Sequence, residues 1–243
     1  MKIKILTLFP KMFDEFMGES IIKRAIDKGV VEIEVVDFRL WSQDKHHHVD
    51  DTPCSGGAGM VLRPDILIPA IKDNSSSNTY KILMTPQGRL YKQDIAQDLS
   101  KHDEIMLICG HYEGFDERIR EYVDDEISIG DYVLTGGELA SMVVSDSIIR
   151  LLNDAIKKES HEDDSFQNGL LEYPQYTRPI EYDGKKVPDV LLCGNHKDIR
   201  RWRLKESLRK TMKRRPDLLL NREFSKEELE LIDEIKEEED GKK

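Results

Sequence analysis

The sequence predicts an α/β domain built on a mostly parallel sheet, followed by a smaller helical region. Three observations predict it. Apolar, β-branched runs alternate with stretches of helical spacing from Lys2 to Leu152. Three predicted strands run directly into glycine-bearing segments. After a polar, poorly periodic stretch, two charged helical segments of opposite sign close the chain.

Residues 2–8 (KIKILTL) read as a strand. Phe13 to Lys28 then places Phe13, Phe16, Met17, Ile21, Ala25 and Ile26 at helical spacing, and Gly29 ends that helix. Val31 to Phe38 alternates as a second strand, whereas Trp41 to Met60 is polar, His-rich and Gly-rich and reads as a loop. The stretch Asp73 to Thr79 (DNSSSNT) is a surface connection. Tyr80 to Met84 is a strand, Tyr91 to Leu99 a short helix and Glu104 to Cys109 a strand. Ile127 to Leu134 is extended or looped, and Gly136 to Leu152 is an apolar helix. Residues 154–172 serve as a linker between a first domain (1–153) and a second (173–243). In the second, Lys197 to Lys213 and Ser225 to Glu238 are helical, the latter opened by a Ser225/Glu228 capping box.

A chain of 243 residues buries a core without needing metals or disulfides. Cys54, Cys109 and Cys193 lie far apart with no CxxC pair, so small thiols are expected rather than a zinc or disulfide framework. There is no apolar run of about 18 residues and no signal-peptide pattern at MKIKILTLFP. A soluble, cytoplasmic protein without a membrane partner is the expectation.

The net charge of −11 conceals a polarised end. Lys197 to Arg215 holds ten Lys/Arg against Asp198 and Glu206, a local +8, and Glu223 to Asp240 holds ten Asp/Glu against Lys226 and Lys236, a local −8. Phosphate responds to the nearby field once salt has screened the rest, so an acidic total does not exclude a nucleic-acid partner. The basic helix also carries Trp202, which can anchor a core or stack on a base. The acidic helix reads first as a solubilising tail. Packing against the basic helix to restrain non-specific RNA binding is the alternative.

The chain has neither a P-loop nor a GxGxxG fingerprint. It has TPQGR (Thr85 to Arg89), GHYEGFDER (Gly110 to Arg118) and IGDYVLTGGE (Ile129 to Glu138), and in open α/β sheets ligands bind at the carboxyl ends of strands. Any one glycine turn is unremarkable; the three together predict one pocket. The adjacent His46, His47 and His48 with Cys54 suggest zinc only superficially, because neighbouring side chains in extended backbone alternate in direction.

The motifs SGGAGM (Ser55 to Met60), GHYEGFDERI (Gly110 to Ile119), SIGDYVLTGGELA (Ser128 to Ala140), EYPQYTRP (Glu172 to Pro179) and GNHKDIRRWRLKESL (Gly194 to Leu208), in this order, resemble the bacterial TrmD family. These are tRNA (guanine-N1)-methyltransferases of the SPOUT class that use S-adenosylmethionine. The resemblance runs from LFPKMF to RRPDLL. It implies a parallel-sheet domain with a deep trefoil knot, which sequence patterning would not suggest because knotted chains are rare. It further implies a homodimer whose active site is shared between subunits, and a helical tRNA-binding C-terminal domain.

Carried over residue by residue, the resemblance implies that Gly110, Ile129, Gly130, Asp131, Tyr132, Val133 and Leu134 contact S-adenosylmethionine. Thr85, Pro86, Gln87, Tyr112, Glu113, Gly136 and Gly137 stand nearby. Asp164, just before Ser165 and Phe166 in SHEDDSF, falls at the position of the base, and Arg150 at that of the supporting arginine. Asp50, Gly56, Gly57 and Gly59 lie near the target base, and Arg200, Arg201, Arg203 and Lys205 face tRNA. Magnesium is implied without assignable ligands. The reaction expected is methyl transfer to N1 of the guanosine immediately 3′ of the anticodon, which supports reading-frame maintenance, with a guanosine preferred just before the target. Within the enzyme class the rival is a SPOUT-type ribose 2′-O-methyltransferase; outside it, a non-catalytic RNA-binding protein. One departure stands out: His111 occupies a place where many members carry arginine, changing charge and reach.

Overall fold

The structure is a computed structural model and describes residues 1–54, 56–155 and 164–241. Ser55 of the SGGAGM motif and residues 156–163, which hold much of the expected linker and the first four residues of SHEDDSF, lie outside the described residues. The chain divides into two compact units, 1–158 and 159–243.

The first unit is a five-stranded sheet of β1 (Lys2–Thr7), β2 (Glu32–Asp37), β5 (Thr79–Leu90), β6 (Glu104–Cys109) and β7 (Asp125–Ser128). The strand order is β2-β1-β6-β5-β7. Every pairing is parallel, with Ile5 opposite both Val35 and Leu107, and Leu83 opposite Ile108. Strands buried on both faces read as continuous apolar runs, which is why KIKILTL and EIMLIC are legible.

Successive residues serve opposite layers. Ile3, Ile5, Ile82, Ile105 and Leu107 pack with Ile22 and Ala25 of α2 (Ser20–Asp27), Ile95 and Leu99 of α4 (Gln93–Leu99), and Val144 and Ile148 of α5 (Glu138–Ile149). Leu6, Leu83, Met106 and Ile108 pack on the other side with Ile66, Leu67, Ala70 and Ile71 of α3 (Pro64–Asn74). The result is an α/β fold with helices on both faces of a parallel sheet.

Three elements differ from expectation. The segment from 13 to 28 is not one helix: α1 (Asp14–Gly18) stops, Glu19 is extended at φ −128° and ψ 158°, and α2 follows. Helix α3 had no counterpart in the sequence reading, which passed over residues 61–72. Pro64 opens the helix, where an absent N–H is harmless, while Pro69 sits inside it between the buried Leu67 and Ala70. Strand β5 continues beyond Met84 to Leu90, with an irregularity between Met84 and Arg89 that carries TPQG.

Outside the sheet, β3 (Asp50–Asp51) pairs antiparallel with β4 (Val61–Leu62). In the second unit, β8 (Glu181–Tyr182) and β9 (Lys185–Lys186) form a hairpin ahead of α6 (His196–Arg214) and α7 (Lys226–Asp240). The Ser225/Glu228 capping box is present: Ser225 Oγ accepts from Glu228 N at 3.2 Å, and Glu228 accepts from Ser225 N at 2.8 Å. The acidic helix is docked rather than a free tail, since Leu231 and Ile235 are buried with Leu170 and Leu208 of the same unit.

Candidate active site at the carboxyl edge of the sheet

Strands β5, β6 and β7 are neighbours, so their carboxyl ends deliver the three glycine-bearing loops to one edge. There they enclose a cavity of about 300 Å³. Thr85, Pro86 and Gln87 line it from the first loop, and Gly110, Tyr112 and Glu113 from the second. Ile129, Gly130, Tyr132, Val133, Leu134, Gly136 and Gly137 line it from the third. Asp131 is exposed and outside the lining.

The loops are locked together by backbone. Gly137 N–H donates to Gly110 O at 2.8 Å, and His111 and Gly136 form an antiparallel bridge. A Cβ on Gly137 would stand 2.8 Å from Cys109 Cα and 2.9 Å from Gly110 N, so only glycine permits this approach. Arg120, missed in the sequence reading, ties the walls: its guanidinium donates to Gln87, to Glu126 of β7, and at 2.8 Å to Glu117. Its position two residues beyond the DER of GHYEGFDER was the available signal. Met84, Ile127 and Ala140 supply apolar floor, while Glu113 and Glu117 place carboxylates at the wall. The Arg120 guanidinium lines the same wall, so the cavity combines an apolar floor with charged groups of both signs.

Behind the third loop, Glu138 is 3% exposed and accepts a hydrogen bond from Thr7 Oγ1 at 2.8 Å. The bond joins the end of β1 to the first turn of α5, where a helix N-terminus favours an anion. Thr7→Val keeps the shape and strips Glu138 of this donor, so a loss of about 1–3 kcal/mol is expected. Thermal melting checks it, with a fall of several degrees expected and an unchanged Tm contradicting the assignment. Nearby, burial and the Glu138 charge hold the Cys109 thiol well above its usual range.

The glycine-rich segment before β4 joins the second loop. Glu113 N donates to Met60 O at 2.9 Å, Leu62 N to Gly114 O at 2.9 Å, and Asp116 N to Leu62 O at 3.1 Å. Gly59 adopts φ +87°, and a Cβ there would overlap the Glu113 side chain at 2.3 Å. Gly56 and Gly57 are exposed, and Asp50 is half-buried in β3; none of the three lines the cavity.

Arg150 is the C-cap of α5, in the first unit. Asp164 belongs to the second unit, at the start of a turn in which its carbonyl accepts from Gln167 N at 3.3 Å. On α6, Arg200 pairs with Glu227 at 2.8 Å, Arg201 with Glu234, and Lys205 with Glu234 at 2.8 Å and Glu238 at 2.7 Å. Arg203 lies over the Tyr173 ring, 4.7 Å from its centroid, and Trp202 is tilted against Tyr176 at 6.3 Å. Hydrogen bonds from Lys205 and then Arg209 hold the Glu238 carboxyl down at about 2.

Sheet and cavity together define an α/β protein with a cavity of nucleoside size at the carboxyl ends of its strands. The profile of the family described as tRNA (Guanine-1)-methyltransferase TrmD matches residues 1–221. The tRNA (guanine-N(1)-)-methyltransferase of Fusobacterium nucleatum is 58% identical over 240 residues, covering 98% of this chain and all of that relative. Enzymes of the same name from Macrococcus caseolyticus and Dehalococcoides mccartyi are 54% and 53% identical, each covering at least 97% of this chain and 99% of the relative. The chain belongs to the TrmD family.

Proposed function

We propose that this protein transfers a methyl group from S-adenosylmethionine to N1 of the guanosine immediately 3′ of the anticodon in tRNA. The observation that carries the proposal is the convergence of the three family loops on one cavity. Its residues fit the cofactor. Glycines 110, 136 and 137 bring backbone close, apolar Met84, Ile127, Ile129 and Leu134 suit adenine, and the Glu113 carboxylate suits a sulfonium cation. S-adenosylmethionine supplies a methyl group activated by positively charged sulfur.

Guanine N1 carries a proton whose pKa lies well above neutrality, so transfer to N1 needs a base and a cation near O6. Asp164 takes the N1 proton, and the freed nitrogen lone pair would bond the methyl carbon as the carbon–sulfur bond of the donor breaks and its sulfur leaves as a neutral thioether. Arg150 offsets the negative charge that develops toward O6. The linker bearing Asp164 serves the active site of a second subunit, which makes the homodimer the working form. The exposed apolar side chains of Leu139 and Val143, one turn apart on α5, with Phe9 and Met12, support an interface between copies. Asp50, Gly56, Gly57 and Gly59 neighbour the target base. Basic residues of the C-terminal domain bind tRNA; of the four that the family resemblance assigns to this role, Arg200, Arg201, Arg203 and Lys205, all but Arg203 are engaged by carboxylates of α7.

The proposal includes the deep trefoil knot of the SPOUT class, with the third loop of the cavity as part of it, and a cytoplasmic location. No helix among the described residues is long and apolar enough to cross a membrane. For magnesium, no group of three or more His, Cys, Asp or Glu gathers among the described residues as a metal cage. No step is assigned to that ion.

Nucleoside analysis of tRNA methylated by the purified protein tests the proposal. N1-methylguanosine is expected, and a 2′-O-methyl nucleoside would replace it with the ribose chemistry.

A further inference from the structure

The basic and acidic helices are complementary along two adjoining stripes. On α6, Arg201, Lys205 and Arg209 stand one turn apart beside the apolar stripe Leu204, Leu208 and Met212. On α7, Glu234 and Glu238 stand one turn apart beside Leu231 and Ile235. Arg209 completes the ladder, pairing with Glu238 at 2.6 Å, so four cations of α6 are engaged by three carboxylates of α7.

This geometry has a cost for RNA binding. A phosphate backbone approaching Arg200, Arg201, Lys205 or Arg209 must displace a carboxylate tethered at high local concentration. Added salt weakens such ion pairs, but it does not release the apolar seam in which Leu231 and Ile235 are fully buried. At the carboxyl end of the same helix, Lys213 and Arg214 are exposed and carry no ion pair among the described residues.

We infer that α7 acts as a built-in polyanion that withholds Arg200, Arg201, Lys205 and Arg209 from RNA phosphates and leaves backbone contact to Lys213 and Arg214. The inference rests on the reading of the protein as a tRNA-binding enzyme. It explains how a +8 segment can serve tRNA without retaining every RNA it meets. RNA held by charge alone loses four contacts, whereas the correct tRNA keeps those made in the catalytic domain.

The test measures binding of labelled poly(U) to the full-length protein across a salt series. The E227Q/E234Q/E238Q variant is expected to bind at least about tenfold tighter near 0.1 M salt, with a slope of log affinity against log salt steeper by about 2–3, since each new single-strand phosphate contact adds about 0.7. K213Q/R214Q in the otherwise native chain is expected to flatten the slope by about 1.4. Circular dichroism checks that α7 remains helical. If the triple variant loses it, E238Q, which removes one of two carboxylate partners from each of Lys205 (Glu234 remains) and Arg209 (Glu206 of α6 remains), is expected to steepen the slope by up to about 1. Unchanged affinity and slope in a folded Glu→Gln variant overturn the masking, and an unchanged slope in K213Q/R214Q overturns the assigned contact. Failure of the native protein to methylate tRNA at guanine N1 sinks the enzymatic reading instead, and leaves the poly(U) result standing.

Discussion

Asp164→Ala lowers methyl transfer to tRNA by about 10²–10⁴-fold, the range removed with a positioned general base, while S-adenosylmethionine affinity stays within about twofold. The separation follows from where the residues lie. The cavity is lined by residues of the first unit, between Met84 and Ala140, and Asp164 belongs to the second. Asp164 is half-buried at a turn, and the bond from Gln167 N goes to its backbone carbonyl, which alanine keeps. Single-turnover transfer and calorimetric cofactor binding, measured side by side, check both halves. Asp164→Asn preserves size and removes only the basic carboxylate, so it falls equally far. Near-native turnover in either variant removes Asp164 from the mechanism.

Gly137→Ala weakens cofactor binding by about tenfold or more and lowers Tm by several degrees. The added methyl would meet Cys109 Cα and Gly110 N within 3 Å, and these are backbone atoms of β6 and the loop that follows it. Retreat is blocked because Gly137 N–H is bonded to Gly110 O. Such overpacking costs about 1–3 kcal/mol, and each 1.4 kcal/mol that falls on the binding geometry is a factor of ten. Gly18→Ala is the control, since a Cβ there meets nothing within 4 Å. Loss of cofactor affinity in both variants, or in neither, would contradict the close-approach account.

These residues also mark how far the sequence could be read. Central strands were legible because burial on both faces leaves no alternation to misread, as in EIMLIC. The cavity was legible as three loops because each follows a strand of one parallel sheet. Helix α3 carries prolines at its start and in its interior, which weaken its local helical signal, and the break at Glu19 was hidden by an apolar spacing that runs across it. The bond from Thr7 to Glu138 spans 131 positions and leaves no local trace. Helix α7 was misjudged because net charge dominated the reading. Leu231 and Ile235, four residues apart among the glutamates, were the overlooked sign of a docked face. Asp164 and Arg150 had no signal beyond family resemblance, because a carboxylate in a polar linker looks like any other.

The central claim is guanine-N1 methylation at one site. Its most direct measurement incubates the protein with labelled S-adenosylmethionine and two tRNA transcripts that differ only in the nucleotide preceding the target guanosine, then maps the labelled base. The account predicts N1-methylguanosine immediately 3′ of the anticodon, with strong preference for the transcript bearing a preceding guanosine. Label on a ribose 2′-oxygen, or no transfer to either transcript, would contradict it.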